Sequence, residues 1–457
     1  MNEMTRAIAC TNDVQFDAFA DFVLNPELKV PEETLHFMST LLIDTLGVGV
    51  GAADLKVGRI ARDFAADFHG AGSAENAATM MFDGRTVSIP GAAWALATQI
   101  DNLDGHDGYA PSKGHIGVAV VPALVALAEH MPDLTGRDAL TALVVSYEVS
   151  ARAGMSLHAS VSDYHTSGAW NAIGTAAMAC RLAGASKETL RQAIGIAEYH
   201  GPRSQMMREI DNPTMLHDGS GMGALVGCSS AIMAQRGFTG APAITIEAPD
   251  VAHYWADLGE AWTVDVNYIK PYPICRWAHA AIDATRMLVI EHGITADMVE
   301  KINVRTFAES SRLYMGVPTT TSQAQYSLAF SIATYLVHGR IGAEHVSGDG
   351  LNDPAVQAII PKIEAFEDER HNARFPDGRW SDIDVILKDG RTLSSDDVPA
   401  RGGHEAPMDD KEVREKFDNM ASALSADRRD AIWAMRDVLV QNGASFSDLT
   451  HKLYKAI

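Results

Sequence analysis

Two stretches, "AIGTAAMACRLAG" and "GMGALVGCSSAIMAQRG", constrain the fold most. Their Ala, Gly, Ser and Cys side chains are too small to fill a core at ordinary helix separation. Helices this smooth are stable when neighbouring helices approach them closely on several sides. The composition therefore predicts a helical assembly with these two segments at its centre. Amphipathic segments with polar starts surround them in the chain. "PEETLHFMSTLLIDTLGVGVGA" places Leu35, Met38, Leu41, Leu42 and Leu46 at helical spacing. "TGRDALTALVVSYEVSARAGMSL" and "SKETLRQAIGIAEYHG" repeat that pattern.

The texture changes near Lys270. "KPYPI" punctuates the chain, "MVEKINVRTF" alternates like a strand, and "WSDIDVILKDGRTLSS" reads as a hairpin turning at Asp389-Gly390. From "DKEVREKFDNMASAL" onward the pattern is helical again. The predicted fold is mainly α. A large all-helical domain takes residues 1–269 and 403–457, and a smaller α+β domain over 270–402 is inserted near the C-terminus.

A net charge of −22 disfavours nucleic acid and anionic membrane as partners. No apolar segment reads as a membrane span, and "MNEMTRAIACTNDVQFDAFADF" has no secretory pattern. Cys10, Cys180, Cys228 and Cys275 are widely spaced and read as reduced core thiols, so a cytoplasmic setting is expected. "GVGVGA" and "GSGMGA" mimic a dinucleotide fingerprint, but neither follows a strand, and close helix packing explains both. The 17 histidines form no HExxH or short Cys/His cluster. No metal and no cofactor are therefore expected.

Four polar islands interrupt the apolar helices. "IDNLDGHDGYAPSKGHIG" carries Asp104, Asp107, Tyr109, Lys113 and His115. "SDYHTSGAWNAIGTAA" carries Tyr164 and His165. "GPRSQMMREIDNPTMLHDGSGMGA" carries Arg203, Arg208 and His217. "KPYPICRWAHAAID" carries Lys270, Arg276 and His279. Any one of these could be a cap, a turn or a surface ion pair. Four in one chain point to a shared cleft in which helix N-termini and cations receive carboxylates.

These islands resemble the MmgE/PrpD family, which includes 2-methylcitrate dehydratase, cis-aconitate decarboxylase and iminodisuccinate epimerase. The likeness covers "LLIDTLGVGVGA", "LDGHDGYAPSKGHIG", "YHTSGAWNAIGTAAMACRLAG", "TMLHDGSGMGALVG", "KPYPICRWAHAAID", "QAQYSLAFSIATYL" and "DDVPARGGHEAPMDDKEVREKF", hence nearly the whole chain. It implies a helical domain built from both chain ends, an inserted α+β domain and a homodimer. It places catalytic positions at Asp104, His115, His165 and His279, with Lys270 and Arg276 beside the last. Three positions depart from the family pattern. Thr214 stands where decarboxylase-like members carry a lysine, Gly108 where a threonine often follows the acidic pair, and Ile116 where His-Pro-Gly has proline.

Dehydration, decarboxylation and epimerisation of a polycarboxylate all develop charge on a carbon next to a carboxylate. Cations and N–H donors must hold that charge as an enediolate, and histidine must move the proton. The expected roles are acid/base chemistry for His115, His165 and His279, and orientation of a histidine for Asp104. Lys270, Arg276, Arg203, Tyr109, Lys113 and His217 are the substrate-binding candidates. The expectation is a cofactor-independent lyase for a di- or tricarboxylate, with dehydration ahead of decarboxylation. An epimerase of a polycarboxylate is the alternative, and a catalytically inactive binding protein of the same fold is the third.

Overall fold

A computed structural model describes residues 13–457. Cys10 and the first part of the N-terminal stretch lie outside the described residues. The principal helices are α1 (Glu32–Gly51), α2 (Ile89–Asp101), α3 (Gly117–Ala128), α4 (Gly136–Ser160), α5 (Gly168–Leu182), α6 (Lys187–His200), α7 (Ser220–Gln235), α8 (Arg276–His292), α9 (Leu328–His338) and α10 (Asp410–Met420). Their starts carry the capping chemistry that the sequence shows. Thr135 caps α4, Ser186 caps α6 and Ser327 caps α9, while Asp409 and Glu412 form a reciprocal capping box on α10.

The two small-residue segments are α5 and α7, and they pack against each other at the centre, with α4, α6 and α2 around them. The missing side chains make that approach possible. Gly223 faces the Gly168 backbone, Gly227 faces Thr175, and Gly174 faces Ser150 and the Ser146 carbonyl. The glycines of "GVGVGA" do the same work inside α1. Gly47 meets the Phe417 ring on α10, and Gly51 meets the Met420 carbonyl. Helix α10 thus returns to α1 from the far end of the chain.

Two sequence expectations need correction. Helix α1 is in fact long and apolar enough to cross a membrane by length and composition, but 78% of its apolar window is buried inside the protein. It is a core helix whose polar partners, such as Lys416 on Asp44, come from the same chain. The first part of the chain also contains a two-stranded antiparallel pair, β1 (Ala77–Thr79) and β2 (Thr86–Ser88). Strands of three residues are too short to show a period.

After Lys270 the chain builds a second sheet from β3 (Val299–Thr306), β4 (Ile363–Glu367), β5 (Trp380–Leu387), β6 (Thr392–Ser394) and β7 (Val398–Pro399). The order is β4-β3-β5-β6, with β7 also on β5. Only β3 and β4 are parallel, with Ile302 opposite Ile363. Strands β5 and β6 form the hairpin read from the sequence, and Gly390 takes φ +89° in its turn. Helix α8 lies against β5 and α9, burying the Val385 and Ile383 side of the sheet.

The close approach of α5 to α4 gives a stability test. On helix propensity alone Gly174→Ala should stabilise by about 1 kcal/mol. Its added methyl would instead run into Ser150 and the Ser146 carbonyl, and such overpacking costs about 1–3 kcal/mol. Urea unfolding of Gly174→Ala should therefore show a net loss of stability; a gain would mean that the two helices are not this close.

Candidate active site

The segment between α2 and α3, residues 102–116, is almost wholly buried although it is rich in charge. Its first turn is left-handed at Asp104, with φ +56°, and a second left-handed residue, Lys113, follows at φ +57°. Aspartate tolerates this geometry and lysine pays about 1–2 kcal/mol for it, so surrounding contacts must enforce it. They do so from the region past Tyr268. Gly108 and Tyr268 exchange backbone hydrogen bonds of 3.1 and 2.8 Å. A side chain at position 108 would strike the Tyr268 ring and His115, which accounts for glycine there. Lys270 Nζ, fully buried, donates to the Asp104 carbonyl at 3.0 Å and forms a short ion pair with the Asp104 carboxylate.

His115 closes the segment. Its Nδ1 lies 2.7 Å from the Asp107 carbonyl, which can only accept, so Nδ1 carries the proton and Nε2 is left with a lone pair. Nε2 lies 3.7 Å from Asp218 Oδ2. Asp218 is held in turn by Ser167 Oγ at 2.9 Å, and it sits at the start of α7, just before the left-handed Gly219. These two side chains line one cavity with Asp104, Lys113, Lys270, Arg276 and Arg379, and with Tyr164, Tyr268, Tyr326, Met206, Cys275 and Trp277. Arg276 spends two N–H groups on the Arg401 and Ala400 carbonyls (2.6 and 2.9 Å) and lies over the Tyr268 ring. The cavity volume is about 20 Å³, room for about one water, so a polycarboxylate enters only when the walls part.

Burial drives His115 and Asp218 in opposite directions. His115 is pushed well below the usual imidazole range by burial and then by the Lys270 charge, against the pull of the Asp107 carbonyl. Asp218 is raised by burial, against the Ser167 hydrogen bond and Lys270. Asp104 is pushed up to about 6 by burial although Lys270 opposes the shift. Burial is the largest influence on Lys270 and lowers it, but Asp104, Tyr268 and Cys275 together hold it above its ordinary value. At neutral pH the Lys270–Asp104 pair is therefore charged, and Arg276, lowered by burial to about 10, remains a cation. Behind His115 lies His106, its ring 4.6 Å away edge-on and its Nε2 3.9 Å from Asp101 Oδ1. Asp101, His106 and Asp218 place one ligand atom each within 4.8 Å, a donor set that suits a divalent ion. The Lys270 ammonium supplies positive charge to the same cluster.

Sequence profiles of the MmgE/PrpD N-terminal and C-terminal domains match residues 17–253 and 272–441. The chain belongs to the MmgE/PrpD family. It is similar to human cis-aconitate decarboxylase, 25% identical over 415 residues that span 84% of this chain and 82% of that protein. The mouse cis-aconitate decarboxylase is 24% identical over 73% of this chain and 72% of its own length. The 2-methylcitrate dehydratase of Escherichia coli K12 is 22% identical over 78% of each chain.

In this MmgE/PrpD member the structure brings Asp104, Lys113, His115, Lys270 and Arg276 to one cavity. The other candidates stand elsewhere. His279 turns its Nε2 to the Ile274 carbonyl at 2.9 Å and packs on Tyr272, fixing the turn before α8. His165 pairs by its backbone with Gln205, and its N–H donates to His158. His217 sits one layer back, its ring 5.3 Å from that of Tyr326. Arg203 is exposed. Tyr109 faces away, into the field of Glu148, Arg152 and Asp257. Asp104 does not orient a histidine: Lys270 takes it, and the Asp107 carbonyl sets His115 instead. Thr214 lines a separate cavity of about 500 Å³ with Asn102, Lys56 and Thr319–Ser322. Sequence reasoning missed Asp218 and Arg379. Asp218 adjoins His217 in a quoted island and was within reach; Arg379, in "PDGRW", gave no signal.

Removing one partner of a buried ion pair strands the other charge, at a cost of about 3–5 kcal/mol. Lys270→Met should lose stability on that scale in denaturant unfolding, and Lys270→Met/Asp104→Asn should recover much of it. Equal stability of Lys270→Met and the unmodified protein would show that the pair is not buried as described.

Proposed function

We propose that this protein is a lyase that removes water from a hydroxylated di- or tricarboxylate, with His115 as base and Asp218 as acid. The observation that carries the reading is the His115–Asp218 pair itself. Two titratable groups 3.7 Å apart are pushed in opposite directions by burial, His115 toward the free base and Asp218 toward the protonated acid, inside a cavity lined by Lys113, Lys270, Arg276 and Arg379. The similarity to a dehydratase and to decarboxylases supports a lyase of carboxylic acids.

The steps follow from these positions. The cations hold the carboxylates and stabilise the enediolate that forms as His115 Nε2 takes the proton from the neighbouring carbon. Asp218 gives its proton to the leaving hydroxyl as the C–O bond breaks, and water departs. Base and acid adjoin, so hydrogen and hydroxyl leave from one face of the substrate. The imidazolium then returns its proton to Asp218, directly or through one water, and the site is reset. Decarboxylation would use the same cation clamp but needs no base for a C–H bond.

Incubation with hydroxylated and unsaturated tricarboxylates in deuterated water tests this reading. A dehydratase makes the unsaturated product from the hydroxy acid. Release of CO2 would make the chain a decarboxylase, deuterium in an inverted substrate an epimerase, and no change in any acid a binding protein; each result would overturn the proposal. His115→Gln should lower kcat by about 10²–10⁴-fold, with a smaller change in KM because the clamp remains. The pH profile carries a sign as well. Activity should be lost on the acid side as His115 gains a proton, well below pH 6.5. It should be lost on the alkaline side as Asp218 releases its proton, above the ordinary aspartate value of 3.8. An acid limb at or above 6.5 would remove His115 as the base.

A further inference from the structure

Lys416, on α10, is buried, and it does not line the cavity that holds His115. Its Nζ donates to Asp44 Oδ2 on α1 at 2.6 Å and to the Gly105 carbonyl at 2.7 Å. The preceding carbonyl, that of Asp104, takes the Lys270 ammonium. Two successive carbonyls of the left-handed turn therefore each end on a buried ammonium. One reaches in from 166 positions along the chain and the other from 311. Two residues beyond Gly105, the Asp107 carbonyl fixes the proton on His115 Nδ1, and the Asp107 carboxylate takes the Tyr147 hydroxyl at 3.2 Å. Val48 of α1 and Pro273 are the side-chain and backbone neighbours that a group added at Gly105 would meet.

We propose that Lys416 is a positioning residue for the acid–base chemistry: its bond to the Gly105 carbonyl holds the turn that sets the tautomer and aim of His115. The inference rests on the His115 reading above. A buried ammonium needs acceptors beyond the Asp44 carboxylate, and Lys416 takes one of them from the turn that leads to His115. The backbone bond turns a charge pair between α10 and α1 into a brace on the reactive segment, so the far end of the chain contributes to the site without touching substrate.

Lys416→Met alone strands Asp44 and is a poor probe, since the uncompensated carboxylate can unfold the protein. The informative variant is Lys416→Met/Asp44→Asn, which removes both charges. It should keep a thermal transition close to that of the unmodified protein, yet lose roughly ten- to a hundred-fold in kcat from misplacement of His115. KM should change little, and amide exchange of residues 105–108 should speed up. Full kcat in the double variant, or unchanged exchange at 105–108, would overturn the proposal and leave Lys416 as a charge partner of Asp44. His115→Gln assayed alongside separates the two ideas. If that variant keeps its kcat, the acid–base reading fails, and the exchange data still decide whether Lys416 holds the turn.

Discussion

The site depends on one left-handed turn. Asp104 is left-handed, and the carbonyls of Asp104 and Gly105 point at Lys270 and Lys416. Neither lysine could be buried without such acceptors, because an unpaired ammonium in a protein interior is too costly to retain. The turn in turn could not keep its shape without the lysines. Each makes the other possible, and the pairing joins three distant parts of the chain: the end of α2, the segment before α8, and α10. The small-residue helices serve the same end. By letting α5 and α7 approach closely, they bring Ser167 and Asp218 up to the segment that carries His115.

Burial then does the chemical tuning. The same exclusion of water that lowers His115 raises Asp218. Arg276 remains a cation because guanidinium starts so high that even a shift to about 10 leaves it charged at neutral pH. A cavity lined by Lys113, Lys270, Arg276 and Arg379, with His115 and Asp218 shifted in opposite directions, has the character that the proposed chemistry on an anionic substrate requires.

Much of this was legible in the sequence, and the failures have physical causes. The helical core was readable from residue size, and the α+β portion from the switch to period two after Lys270. The density of polar groups between Ile100 and Gly117 singled out a segment that is buried and lines the cavity, because a buried segment keeps so many only if they pair. Direction was not readable. Tyr268 lies opposite Gly108 in a backbone pair and Tyr109 is the next residue along from Gly108, and adjacent residues in extended chain point to opposite sides. That geometry turns Tyr268 into the cavity and Tyr109 out of it. His279 resembles a base in the sequence, yet it serves the carbonyl of Ile274 five residues back. Arg379 joins the cavity only because β5 begins there, a fact of tertiary packing.

The most direct test of the account is a structure of the protein with a hydroxylated tricarboxylate bound. The account predicts carboxylates on Arg276, Arg379 and Lys270, with the reacting carbon about 3–3.5 Å from His115 Nε2 and the hydroxyl on Asp218. An acid held instead in the cavity of Thr214 and Thr319–Ser322, with His115 and Asp218 untouched, would contradict it.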